Sequence, residues 1–262
     1  MTCLAIEFNL LLWYNAPMIY DTLKEIIKIS KPFFEAVKVH NVGQDTVFES
    51  INDDHVIMFC KAKTKIAEFS ETPVGLNRMQ TLEGMLKFMP FNSPEASVTI
   101  TTEIKNDKPT PSEIVFKSAE GHESTYRFMS EKAISSLIQT KPFKGVQWDI
   151  TFVPSLKFIN DVTYFASILG GNDSTFEMIT KDGVLNFKVG AKGGDHTTIR
   201  LGHIMGVISK RMTWKLTTFI ALLKLSNGNN VTVSVSEKGV MRFLIDADRS
   251  VFEIYMLPLA GT

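Results

Sequence analysis

Residues 147–191 read QWDITFVPSLKFINDVTYFASILGGNDSTFEMITKDGVLNFKVGA, and the order of patterns within them decides the fold. Gln147 to Val153 alternates as a strand does. Pro154 and Ser155 are helix-start signals, and Ile159, Val162, Ala166 and Leu169 then recur at helical spacing until Gly170-Gly171 closes the run. Two β-type runs follow, separated by the hairpin signal Lys181-Asp182-Gly183. The unit is therefore strand, helix, hairpin.

The same order can be followed outward in both directions. TLKEIIKIS (residues 22–30) places Leu23, Ile26, Ile27 and Ser30 on one helix face and Lys24, Lys28 and Lys31 on the other, with Pro32 as its stop. A β-rich stretch turns at Asn52-Asp53-Asp54 and leads into GLNRMQTLEGMLKFM (75–89), whose apolar positions are Leu76, Met79, Leu82, Leu86 and Met89, ended by Pro90. Downstream, KRMTWKLTTFIALLKLSNG (210–228) supplies a fourth helical pattern starting near Thr213 and stopped at Asn227-Gly228. The last β runs turn at Glu237-Lys238-Gly239. Helix, hairpins, helix, hairpins thus occurs twice, which predicts an α+β fold with antiparallel sheets and an internal duplication of topology. The expected boundaries are 18–117 and 145–262 for the two domains. Residues 118–144, rich in Ser, Lys and Gln, would connect them.

The chain has 262 residues, 44% of them hydrophobic, with 28 basic against 28 acidic side chains. That is the composition of an ordinary globular protein, and the zero net charge argues against a surface wholly given to nucleic acid. Cys3 and Cys60 make neither a disulfide framework nor a metal spacing, so a reducing compartment, the cytoplasm, is expected. Residues 1–17, MTCLAIEFNLLLWYNAP, lack leading basic residues, are interrupted by Glu7 and Asn9, and are too short to span a bilayer. They are expected to be a weakly ordered or partner-covered apolar extension, or to lie upstream of a functional start at Met18. No membrane partner is expected.

No catalytic constellation emerges. GGNDS and GAKGGDH do not sit in the strand–loop–helix setting of a phosphate cradle and read as turns. His40, His55, His122, His196 and His203 are scattered, and neither a metal nor a cofactor is expected. Asp53-Asp54 and Asp246/Asp248 read as solvated hairpin acids. What recurs is positive charge on helices: Lys24, Lys28 and Lys31, then Arg78 and Lys87, then Lys157, then Lys210, Arg211, Lys215 and Lys224. From His196 to Ser236 there is no acid at all. Glu25, Glu83 and Asp161 dilute the other three helices. If these stripes shared one surface they would form a positive track that grips phosphate without reading sequence.

This layout resembles the subunit of a DNA polymerase sliding clamp, above all the processivity clamps of tailed bacteriophages and, more distantly, proliferating-cell nuclear antigen. The likeness runs from Met18 to the end. It is carried by residues 47–89, by residues 147–191 quoted above, and by the terminal SVFEIYMLPLAG. The resemblance implies a non-enzymatic two-domain subunit, with sheets outside and four basic helices lining a ring around duplex DNA. It further implies a homotrimer, and as partners the replicative polymerase and a clamp loader in the cytoplasm of an infected host. It also implies a peptide-binding pocket near the connector and the tail, matched here by Phe128, Ile134, Leu137, Ile138, Leu257, Pro258 and Leu259. Tyr255 is expected to seal the last strand against the core. The alternative is a ring-forming structural or assembly protein of a phage that does not slide on DNA.

Overall fold

The computed structural model describes residues 18–105, 107–141, 143–169, 174–190 and 194–259. The expectations for residues 1–17, for Gly170-Gly171 and for the two glycine-rich turns fall wholly or partly outside them. Contacts divide the chain into two compact units. The first holds residues up to Asn52, Phe59–Thr140 and Arg249–Val251; the second holds Asp53–Met58, Lys141–Asp248 and the chain from Phe252 on.

In the first unit helix α1 spans residues 18–30. Strands β1 (Val37–Val42), β2 (Asp45–Ile51), β3 (Val56–Ala62) and β4 (Val74–Leu76) follow, neighbouring one another in the order β4-β1-β2-β3. The alternation does what a period of two should: Val39 and Phe48 are direct antiparallel partners, and both are fully buried. Helix α2 (Met79–Lys87) turns Met79, Leu82 and Leu86 inward. No side chain caps its start. The hydroxyl of buried Tyr126 instead accepts the N–H groups of Asn77 (3.1 Å) and Arg78 (3.2 Å), satisfying backbone donors at the helix entrance. The two helices are clamped together by Tyr20, whose hydroxyl donates to the Leu86 carbonyl, and by Ser30 against the Met79 sulfur at 3.6 Å. Strands β5 (Ser97–Lys105), β6 (Lys108–Lys117) and β7 (Glu123–Arg127) form a separate antiparallel sheet.

Several sequence expectations are corrected here. Helix α1 begins at residue 18, four residues before Thr22, because Ile19 and Tyr20 are also buried and the Thr22 hydroxyl bonds the Met18 carbonyl at 2.8 Å. Met89 is not a core position. Phe88 turns extended after Lys87, Pro90 enters a 3-10 turn, and Met89 is left 76% exposed. The 118–144 stretch carries β7, paired with β6, and helix α3 (Glu131–Leu137). Ile134 of α3 packs so closely on Gly75 that a methyl group there would lie 2.6 Å from its Cδ1.

In the second unit strand β8 (Ile150–Phe152) leads into α4 (Leu156–Leu169). Strands β9 (Thr175–Lys181), β10 (Val184–Gly190), β11 (His196–His203) and β12 (Thr213–Lys215) build a sheet of order β11-β10-β9-β12. The β9–β10 turn is as expected: Asp182 and Gly183 have φ of 51° and 73°, the paired left-handed residues of a type I′ hairpin. Helix α5 (Leu216–Lys224) precedes β13 (Asn230–Val235), β14 (Met241–Asp246) and β15 (Ser250–Met256), which lie in the order β15-β14-β13-β8. In α4, Phe158, Ile159 and Val162 are buried, whereas Ala166 and Leu169 are only half-buried.

The fourth helix is shorter than its pattern predicts. Thr213–Lys215 pairs with β9, and Trp214, buried completely, stacks on Phe176 at 5.5 Å. That contact holds the backbone extended until Leu216, so Lys210 and Arg211 lie in the preceding loop and Lys215 stands at the helix N-cap.

Because Ile134 is the buried residue of α3 and packs with Ala36 and Ile138, Ile134→Ala is expected to destabilise the first unit by about 2–5 kcal/mol. A urea melt checks it. An unchanged midpoint would mean α3 is a loose surface turn.

Candidate nucleic-acid interface

Each unit presents the polar side of a helix pair, α1 with α2 in the first and α4 with α5 in the second. On α1, Lys24 and Lys28 are exposed. Lys24 lies 5.7 Å from the Tyr20 ring centroid, and Lys28 has no ion-pair partner among the described residues. The acids of this helix are held elsewhere: Arg249 donates its guanidinium to Asp21 and its backbone N–H to Glu25, both at 3.0 Å. The lysine stripe therefore remains open while its neighbouring carboxylates are occupied.

On α2 the arrangement differs. Glu83 accepts from Lys31 across the helix pair and from Lys87 one turn on at 2.7 Å. One carboxylate thus serves two lysines, which leaves a single surplus positive charge. Hydrogen bonds from Lys31, then from Lys87, hold the Glu83 carboxyl below the usual range. Arg78 lies 5.1 Å over the Tyr126 ring and donates to the Arg127 carbonyl at 3.0 Å, which turns it toward β7.

In the second unit Lys157 closes on Asp161, its i+4 neighbour, at 2.5 Å. The exposed side of α4 carries Leu156, Tyr164 and Ile168. It is an apolar face with no surplus charge. Lys215 is paired with Asp54, whose two oxygens lie 3.0 and 2.8 Å from its Nζ. The acid-free run from His196 is thus answered in space by an acid from a distant hairpin. Glu237 approaches it as well, accepting from the Ser209 hydroxyl and N–H at 2.6 Å each, bonds that lower its carboxyl. Arg211 and Lys224 are exposed without an ion-pair partner among the described residues. Of the candidate cations, Lys24, Lys28 and Arg78 in one unit and Lys210, Arg211 and Lys224 in the other are exposed without an ion-pair partner among the described residues.

The residues matched to a peptide pocket divide between the two units. Phe128, Ile134 and Ile138 are interior to the first unit and Leu137 is exposed, while Leu257, Pro258 and Leu259 belong to the second. Of these, Pro258 rests on Gly239 and the Leu259 N–H bonds the Thr213 carbonyl at 2.9 Å. Phe128, Ile134 and Ile138 are buried because α3 and the end of β7 complete the first unit's core. Among the described residues no cluster of His, Cys, Asp and Glu could hold a metal ion. No helix there is long and apolar enough to cross a membrane.

No protein-family model matches the chain, and no curated protein sequence does. Solved structures do match. The proliferating-cell nuclear antigen (PCNA) of A. fulgidus, solved with the C-terminal region of FEN-1 bound, is 12% identical with a TM-score of 0.65 over 93% of this chain and 97% of that one. A chain of the PCNA2–PCNA3 complex of Sulfolobus tokodaii is 13% identical with a TM-score of 0.61, covering 92% and 97%. The Entamoeba histolytica PCNA is 13% identical with a TM-score of 0.63, covering 90% and 94%. The fold is that of a two-domain clamp subunit, α+β with antiparallel sheets.

Since the Glu83 carboxyl is lowered on folding, it contributes stability that is complete above its unfolded value and is lost as pH falls through the lowered folded one. Glu83→Gln is expected to flatten that acid limb of a melting-temperature profile. It should also release Lys31 and Lys87 from the carboxylate they share. An acid limb identical to the parent's would remove the double pairing.

Proposed function

We infer that this chain is a sliding clamp, a processivity factor that encircles duplex DNA and tethers the replicative polymerase, as the clamps of tailed bacteriophages do. The observation that carries the reading is the combination of the clamp fold with open cations on α1 and α5. Such sparse, sequence-indifferent phosphate contacts suit a protein that must hold DNA and still move along it. The grip comes from Lys24, Lys28, Arg211 and Lys224, with Lys31, Lys87, Arg78 and Lys210 in support. Lys157 and Lys215 are neutralised by their partners. The role is non-catalytic, with a clamp loader to place the chain on DNA in the cytoplasm of an infected host.

The assembly we favour is a closed homotrimer. Strand β7 pairs only with β6, and β11 only with β10, among the described residues, so each unit offers a sheet edge with unsatisfied backbone groups. Head-to-tail pairing of such edges generates a ring when the rotation closes. Light scattering on the eluted protein should give three copies, and a persistent monomer at micromolar concentration would count against the ring. Partner peptides are assigned to the tail Leu257–Leu259; the bound FEN-1 segment of the A. fulgidus protein shows that a clamp of this fold takes a peptide.

Replacing Lys24, Lys28 and Lys224 together by Ala should leave the melting temperature in place. The slope of log affinity against log salt on duplex DNA should become shallower by up to about 3, roughly 0.9 per lost phosphate contact. Stimulation of the cognate polymerase on primed circular DNA should fall with it. An unchanged salt slope sinks the assignment of these lysines.

A further inference from the structure

Strand β15 is buried on both faces where it ends, and only one face is explained by the core. Ser250, Phe252, Ile254 and Met256 point inward and are buried, while Val251 and Glu253 on the opposite face are half-buried. Tyr255 belongs to that second face by alternation, yet it is only 4% exposed. It is thus as fully covered as the inward row, although it stands on the other face of the strand. One contact on it comes from outside any helix or strand: the Phe143 ring lies 4.4 Å from the Tyr255 ring. Phe143 is itself 37% exposed, unusually high for a phenylalanine packed on an aromatic partner.

The same loop makes a second contact. Trp148 stacks parallel to Phe143 at 6.3 Å and 22°, and it covers the Arg242 guanidinium at 4.7 Å. Arg242 lies on the equivalent outward face of β14 and reaches Ser234 on β13 at 3.4 Å. Glu253, beside it, takes the Tyr255 hydroxyl proton bond and faces Arg242 at 3.9 Å. The loop from Phe143 to Trp148 thus lies as a strap over the sheet, seated at its two aromatic ends. Between them Lys144, Gly145 (φ 79°) and Gln147 are exposed. Nothing in this span is hydrogen-bonded as a strand or helix.

We propose that the Phe143–Trp148 strap is an intramolecular occupant of an aromatic-accepting site centred on Tyr255, and that a partner peptide carrying an aromatic side chain binds by displacing Phe143. This rests on the clamp reading for the identity of the partner and deepens it by giving the tail site a resting state. The site adjoins Leu257–Leu259, which follow directly on the end of β15. A peptide seated on the tail would extend onto the Tyr255 ring only when the strap lifts. Self-occupation lowers apparent affinity by the fraction of time the site is open, so weak encounters are rejected and longer peptides retained.

The probe is a synthetic peptide of the strap's own sequence, KPFKGVQW, offered to the full chain and followed by fluorescence anisotropy. Phe143→Ala with Trp148→Ala is expected to bind it at least ~10-fold more tightly than the parent, as for a site closed about nine-tenths of the time. Adding Tyr255→Ala to that variant should abolish the gain. Phe143→Leu, which keeps an apolar cover and protects the fold should the double variant melt, should give an intermediate gain. Equal affinity of parent and both variants, with melting temperatures retained, overturns the proposal and assigns the strap a purely structural role. Polymerase stimulation is a separate readout: its absence with the peptide gain intact would sink the clamp reading and leave the strap standing.

Discussion

The contact on which the second unit depends is made by one ring of α5. Phe219 lies 4.4 Å from Phe176 and 5.0 Å from Phe187 in one sheet, and 5.6 Å from Phe243 in the other. A single helix side chain therefore fills the space between two sheets that share no strand. Truncating a ring so placed costs about 3–5 kcal/mol, because the neighbours cannot close the cavity. Its position fixes which side of α5 faces inward, and with it the outward direction of Lys224. The charge on the exposed face follows from the packing on the hidden one.

Pairing decides what that exposed charge amounts to. Counting basic residues along the helices gives a rich stripe, yet Lys157 and Lys215 are each neutralised by one acid, and Glu83 serves two lysines. Exposed pairs of this kind contribute little to stability, about 0–1 kcal/mol each, but they remove cations from any competition for phosphate. In the reverse sense, Arg249 occupies Asp21 and Glu25 and so clears Lys24 and Lys28 of their nearest acids. A neutral chain can thus carry local positive faces because its acids are committed elsewhere.

Much of this architecture is legible in the sequence, for identifiable reasons. Helical spacing in residues 22–30 and 156–169, and the Asp182-Gly183 turn, are local signals that the fold keeps. The duplicated order gave the antiparallel α+β class. What could not be read depends on partners remote in sequence. Thr213–Lys215 looks helical until Trp214 meets Phe176, and Lys215 looks free until Asp54 arrives, 161 residues away. The stretch 118–144 looks like a linker by composition, yet Tyr126, Phe128, Ile134 and Ile138 are all core. Its polar letters outnumber its apolar ones, and the helical spacing of Ile134, Leu137 and Ile138 covers little more than one turn. The open subset of cations was likewise invisible, since a carboxylate's partner is a tertiary fact.

On the clamp reading, the thinness of the charge is itself informative. With so few cations left without an acid, phosphate contacts are sparse and each is readily exchanged for the next. A richer lining would raise affinity steeply at low salt and slow exchange from one phosphate to the next. The apolar exposed face of α4, with Leu156, Tyr164 and Ile168, adds no attraction for phosphate. On that reading, retention comes from topological closure, with the cations centring the duplex as it passes. Stability of the ring edges, more than the number of lysines, then sets how long the chain stays on DNA.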